Sequence, residues 1–311
     1  MSGVLVVAEH RQGALRDVTA ELVSAATGLG AGPVAVTVLA GSPGALADAC
    51  VLEGVDEVIE VATPSDGFDS DLWRAALEAL VRDRSPQAVL VAHSVDGMSF
   101  GPAVAATLGA GLATDVVSLA QSGEGLVVTR APYGGKVAMT VEVPAGSVIQ
   151  VRGATFAAAA PGGSPRRTTF ACPPVTSRLA HRGYVEQPAG EVDITGAEVI
   201  VSIGRGIGER DNIELFERVA AKLGATLASS RPLVDAGWMP HARQVGQSGT
   251  TVKPSVYLAF GISGAVQHLA GMKAARTIIA VNTDAQAPIF GVAHFGATVD
   301  ARDVAEAIAD A

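Results

Sequence analysis

The sequence predicts an α/β protein of two domains, each a mainly parallel, doubly wound sheet flanked by helices, the first with antiparallel strands added. Three observations carry that expectation. The 311 residues are 49% hydrophobic and only 17% charged, with Ala, Val and Gly abundant, which suits tightly packed layers rather than a disordered chain. Short apolar runs alternate with helical stretches, the order expected of parallel sheets. The alternation lapses once, in a proline-rich passage, and then restarts. This places a boundary near Gln187, with domains at 1–187 and 188–311.

In the first half, "GVLVVAEH" and "PVAVTVLAG" read as short buried strands with a helix over 14–27 between them, a βαβ unit. "LADACVLEGV" is expected as a helix, "EVIEVAT" as a strand and "AVLVAHS" as another buried strand. "DLWRAALEALVRDR" is an amphipathic helix whose acids come early and arginines late, complementing the helix dipole. After the small-residue helix "GPAVAATLG", the segments "LVVTRAPYGGKVAMTVEVP" and "SVIQVRGATF" alternate in the strand manner between glycine and proline turns. Both are expected as antiparallel additions to the first sheet. From Pro161 to Pro188 the prolines, mixed charges and weak periodicity predict an extended excursion that leads into a linker.

From Glu198 the rhythm restarts: "EVIVSIG", the helix "NIELFERVAAKLG", "ATLASS", an irregular passage over 231–253, "SVYLAFG", the helix "AVQHLAGM", "TIIAVN", "GATVD" and a terminal helix. A parallel sheet of about five strands follows. The halves share a rhythm, but no sequence repeat relates them.

The formal charge of −9 and the lack of a basic cluster argue against nucleic acid as a partner. No apolar run is long enough to cross a bilayer, and the first strand meets Glu9 after eight residues, unlike a secretory signal. The expected location is cytoplasmic, without membrane insertion. Cys50 and Cys172 lie far apart with no metal-ligand spacing, so they read as ordinary thiols.

Ligands of open parallel sheets bind beyond the carboxyl ends of the strands. In the second half those ends are Gly204-Arg205-Gly206, Ser229-Ser230-Arg231, Gly261-Ile262-Ser263-Gly264, Asn282-Thr283-Asp284 and Asp300: each delivers glycine or a polar side chain. Gly204, Gly206 and Gly208 would let main-chain N–H groups approach a phosphate, with Arg205 adding charge, although such a turn also serves helices that hold no ligand. Ser263 reads as a cap of the following helix, as an anion contact, or as both. His268 reads as a packed residue or a working one, and the glycine turn beside it and Gln267 favours the second. The passage over 231–253 exceeds the usual loop length, and Trp238, Pro240 and its glycines argue for order, which makes Arg231, Gln247 and Ser248 ligand candidates. Arg231 has a local alternative partner in Asp235. No Ser-His-Asp, paired-carboxylate or metal-ligand set is expected, so neither catalytic nor metal residues are assigned.

The segments "GRGIGERDNIELFERVAAKLGA", "SSRPLVDAGWMP", "QVGQSG", "YLAFGISGAVQHLAGMKAARTIIAVNTDAQAPIF" and Asp300 together resemble the alpha subunit of electron transfer flavoprotein. The match runs in register over nearly all of 198–300. In the first half it rests on the order of elements and on "RAPYGGK".

The resemblance implies a heterodimer with a beta subunit, contacted by the first domain, and one FAD in the carboxyl-terminal domain. Electrons would pass from dehydrogenases, such as the acyl-CoA dehydrogenases of fatty acid β-oxidation, to a membrane quinone oxidoreductase. By matching positions, Arg205, Ser230 and Ser263 would hold the pyrophosphate, and Asn282 and Asp300 the adenosine end. Gln247, Ser248, Gln267, His268 and Arg231 would surround the ribityl chain and the isoalloxazine. The same motifs carry Gln244, Val245, Gly246, Gly261, Ile262, Gly264, Ala265 and Val266 into the cofactor-binding set. One position departs from the pattern: Thr250 stands where the family commonly has Lys, so no cation is available there.

A flavin that carries single electrons needs positive charge and hydrogen-bond donors near its ring, and Arg231 and His268 are the residues expected to supply them. At an effective dielectric near 20, one charge about 4 Å away is worth roughly 4 kcal/mol, enough to move a one-electron couple by on the order of 100 mV or more. The competing reading is a pyridine-nucleotide-binding subunit of an oxidoreductase or transhydrogenase. Against it, Ala225 and Thr226 occupy the region about 20 residues past the glycine turn where an acid would take a ribose hydroxyl. A third reading, a structural partner that has lost its cofactor, conflicts with the polar residue kept at every strand end.

Overall fold

The computed structural model describes residues 3–123, 125–135, 137–184 and 193–311. The chain divides into two compact units, Met1–Val185 and Glu186–Ala311. The expected boundary near Gln187 and Lys136 of the RAPYGGK segment lie outside the described residues.

The first unit is built from β1 (Val4–Val7), α1 (Asp17–Leu29), β2 (Val34–Ala40), α2 (Gly44–Ala49), β3 (Glu57–Ala62), α3 (Ser70–Arg84), β4 (Ala88–Ala92), α4 (Val95–Leu108), β5 (Leu112–Ser122), β6 (Gly125–Arg130), β7 (Met139–Val143), β8 (Ser147–Val151) and β9 (Arg166–Thr169). They form one nine-stranded sheet in the order β9-β3-β2-β1-β4-β8-β5-β6-β7. Only the β5–β6 and β6–β7 pairings are antiparallel. Every residue of β1, β2, β4 and β8 is buried, because helices and loops cover both faces of the sheet.

Five features of this half differ from the sequence expectation. The helix expected over 14–27 starts at Asp17, because Gln12 and Gly13 both take positive φ and turn His10–Arg11 back onto Ala14–Leu15 as a small hairpin. The helix expected from "LADACVLEGV" stops at Ala49, and Leu52 beyond it bridges to Pro161. Ser147–Val151, expected as an antiparallel addition, is an interior strand parallel to both β4 and β5, and the strand β5 at 112–122 was not anticipated. The proline-rich excursion contributes β9, parallel to β3. Its arginines make that possible: Glu57, 1% exposed at its side chain, accepts from Thr168 Oγ1 at 2.6 Å and pairs with Arg166 at 3.0 Å, while Arg167 pairs with Glu60 at 2.9 Å.

The second unit contains β10 (Val199–Ile203), α5 (Ile213–Lys222), β11 (Thr226–Ser229), α6 (Arg231–Asp235), β12 (Val256–Phe260), α7 (Val266–Met272), β13 (Thr277–Val281), β14 (Phe295–Ala297) and α8 (Ala301–Asp310). Five parallel strands run in the order β11-β10-β12-β13-β14. One face packs Val201, Ile203 and Phe260 against Phe216, Val219 and Ala305 of α5 and α8. The other packs Ile200, Tyr257, Ala259 and Ile278 against Met272 of α7 and against Val245 and Val252. The passage over 231–253 is thus ordered: it opens with the short helix α6 and then lays its middle on the sheet.

Candidate functional site

The carboxyl ends of β10 and β12 meet main chain to main chain. Gly204 N–H donates to Phe260 O and Gly206 N–H to Gly261 O, both at 2.9 Å. A Cβ on Gly206 would stand 2.6 Å from Gly261 Cα, so no larger residue fits. Gly264, at φ +83°, lies so close to Ile289 that a side chain there would strike its backbone. Asn282, after β13, donates through Nδ2 to Ile262 O at 2.9 Å and ties the third strand end to the same turn.

The segment Gln244–Ser248 arrives from the far side of the sheet order. Val245 N–H donates to Ser229 O at 2.9 Å and Gln247 N–H to Gln267 O at 2.7 Å. The approach to α7 is glycine on glycine, since a Cβ on Gly271 would lie 2.5 Å from Gly246 Cα. Gln244 Nε2 donates to Ser248 Oγ at 3.0 Å, and Thr250 N–H to Gln244 O at 2.8 Å closes the loop. Ser230, Gln244, Val245, Gly246, Gly261, Ile262, Gly264 and His268 are buried, while Arg205, Gln247, Ser248, Ser263, Ala265 and Gln267 are exposed and Val266 is half-buried. The fold therefore joins the turns after β10 and β12, Asn282 and the 244–248 loop into one rim.

Two predicted residues have local partners instead. Arg231 Nε lies 3.2 Å from Asp235 Oδ2 on the surface, the alternative pairing its sequence position allowed. Asp300 caps α8 through Arg302 N–H at 2.9 Å, and the Arg302 guanidinium holds its carboxyl at about 2. Ser263 is not the cap of α7: Ala265 holds that position, without a side-chain bond.

His268 is the most constrained polar side chain of the set. Its Nε2 lies 3.0 Å from the hydroxyl of Tyr257, a fully buried residue of β12. Its Nδ1 has no hydrogen-bond partner among the described residues. Burial pushes the imidazole pKa down to about 4, against a weaker upward pull from the Val245 backbone, so the ring is neutral at pH 7. A neutral ring of this kind contributes through hydrogen bonding rather than charge. Sequence reasoning passed over Tyr257, whose ring reads as one more apolar strand residue. The available signal was its hydroxyl, the sole side-chain polar atom in "VYLAF".

Residues 193–273 match the electron transfer flavoprotein FAD-binding domain, and residues 4–172 the electron transfer flavoprotein domain. The chain belongs to the electron transfer flavoprotein alpha family. It is 44% identical to electron transfer flavoprotein subunit alpha of Methylophilus methylotrophus, over 98% of each chain. The subunit alpha of Mycobacterium leprae is 38% identical over 100% of this chain and 98% of its own, and Protein FixB of Clostridium saccharobutylicum 36% over 97% and 93%. A thiamine diphosphate-dependent decarboxylase structure from Rhodococcus jostii RHA1, 12% identical over 94% of this chain and 53% of that one, has a TM-score of 0.25 and bears on nothing here.

The family's cofactor is FAD rather than a pyridine nucleotide, and the donor set fits it. Arg205 has no ion pair among the described residues, and the buried Nδ1 of His268 lacks a partner. An apolar depression of about 550 Å³ between α5 and α8, lined by Lys222, Val304 and Ile308 among others, contains none of these residues.

Gly206→Ala is expected to cost at least about 2 kcal/mol in denaturant unfolding, because neither contacting segment can retreat without breaking the strand-end bonds. His268 adds a pH dependence of known sign. Its folded pKa of about 4 lies below the ordinary value of 6.5, so its contribution is complete above pH 6.5 and is lost as pH falls towards 4. His268→Gln is expected to flatten that part of the stability curve, which amounts to about 3 kcal/mol at most. Denaturant midpoints measured from pH 7 to pH 4 check it.

Proposed function

We propose that this chain is the FAD-holding alpha subunit of a heterodimeric electron carrier. It pairs with a beta-type subunit, takes electrons from soluble dehydrogenases, acyl-CoA dehydrogenases among them, and delivers them to a membrane quinone oxidoreductase from the cytoplasmic side. The observation that carries this reading is the convergence of three strand ends and the 244–248 loop on one rim, in the segment matching the family's FAD-binding domain. No helix in the described residues is long and apolar enough to cross a membrane, which suits a carrier that visits its partners.

FAD, when bound, supplies reversible one- and two-electron chemistry. The chain's residues bind and orient it. Arg205, Ser230 and Ser263 would hold the diphosphate, with main-chain N–H groups of the glycine turns, and Asn282 and Asp300 the adenosine end. Gln247, Ser248 and Gln267 would position the ribityl chain and ring edge. His268 would give a neutral hydrogen bond and Arg231 a positive charge, so the two residues tune the site by different means. Nothing in this assignment requires a general base, as befits a protein that moves electrons without transforming a substrate.

Co-expression with a beta-type subunit is expected to yield a yellow heterodimer that releases FAD on denaturation. A colourless complex, or a chain that retains a pyridine nucleotide, overturns the reading. Arg231→Ala is expected to leave FAD bound while lowering the first midpoint potential. Because Arg231 is exposed and paired with Asp235, the charge acts through a water-like medium, where about 1 kcal/mol at 4 Å corresponds to roughly 40 mV. A dithionite titration of parent and variant measures it.

A further inference from the structure

Tyr257 occupies the second position of β12, wholly enclosed in the apolar layer that Ile200, Ala259, Ile278 and Met272 form beneath α7. A phenylalanine would fill that space without burying a hydroxyl, an act that costs free energy unless the group is satisfied. The hydroxyl's hydrogen bond is to His268 Nε2, at 3.0 Å. One strand over, Ser202 points to the same face, since Ile200 and Ser202 lie level with Tyr257 and Ala259. Its hydroxyl is buried and has no hydrogen-bond partner among the described residues. A hydrogen-bonded pair, Tyr257 and His268, thus lies inside an otherwise apolar layer, with Ser202 buried on the same face.

The protonation states follow from the surroundings. Burial raises the Tyr257 pKa well above its ordinary value, with Ser202 opposing weakly, so the phenol keeps its proton. A neutral imidazole has one nitrogen that donates and one that accepts. Nε2 is the hydrogen-bond partner of the Tyr257 hydroxyl among the described residues, so the buried phenol proton is satisfied by donating to it, which leaves the imidazole proton on Nδ1. Nε2 is then the acceptor, and the Tyr257 hydroxyl is its donor.

We propose that Tyr257 is a positioning residue for the flavin site: its hydroxyl donates to His268 Nε2, locks the ring in the Nδ1–H tautomer and leaves that N–H as the donor offered to the cofactor. This rests on the FAD reading above for its purpose, but not for its measurement. The arrangement is the one seen where a second residue orients a histidine that works on a ligand. An imidazole free to exchange its proton between nitrogens would present a donor to the flavin for only part of the time.

The test has two stages. In the full chain stripped of flavin, long-range proton–nitrogen NMR of ¹⁵N-histidine-labelled protein is expected to find the His268 proton on Nδ1. A proton on Nε2 overturns the proposal without any substitution. In Tyr257→Phe the tautomer preference, roughly tenfold for one hydrogen bond of ordinary strength, is expected to be lost, and the His268 pKa to rise. In the flavin-loaded heterodimer, Tyr257→Phe is expected to retain FAD and to lower the first midpoint potential, with no further change when added to His268→Gln. A shift that persists in the His268→Gln background, or an unchanged tautomer in Tyr257→Phe, overturns the proposal. If the parent heterodimer binds no FAD, the functional reading fails while the tautomer result still decides the role of Tyr257.

Discussion

The second unit is organised by main chain touching main chain. Parallel strands set side by side bring their outgoing turns close together, and any side chain in those turns would force them apart. Gly206 against Gly261, Gly246 against Gly271 and Gly264 against Ile289 remove that obstacle. What is gained is a rim whose turns are bonded to one another through their own peptide N–H groups and fixed by the sheet. Arg205, Ser263, Gln247 and Gln267 are exposed at that rim.

Around that rim the two polar groups nearest the expected ring chemistry are held in opposite ways. Arg231 is exposed and already paired with Asp235, so its field is softened by water and by a neighbouring acid. His268 is buried, neutral and hydrogen-bonded to a buried phenol, so it loses charge and acquires a fixed direction. In the function proposed above, weak long-range charge would limit the driving force, while a directed hydrogen bond would add stabilisation without a net charge.

Polar groups elsewhere in the chain obey the same rule. Glu57 lies on an interior edge of the first sheet, and its charge is tolerable because Thr168, Arg166 and Arg84 converge on it. Those partners turn an extended, arginine-bearing passage into the strand β9. Periodicity could not reveal that strand, since "RRTT" has no apolar face and pairs only because the acids of β3 and α2 await it.

Local signals in the sequence determined the kinds of element and where most of them fall. The apolar runs of β1, β2, β4 and the whole parallel set of the second unit, the dipole-matched helix α3, and the glycine and polar residues at strand ends all depend on neighbours a few positions away. Tertiary structure alone decided the rest. It placed Ser147–Val151 inside the sheet rather than at its antiparallel edge, laid Gln244–Ser248 against α7, kept Arg231 on Asp235, and set the Tyr257 hydroxyl on His268. Each of these choices joins segments whose partnership is settled by which surfaces fill space and satisfy buried polar atoms at once, and that competition is won in three dimensions rather than along the chain.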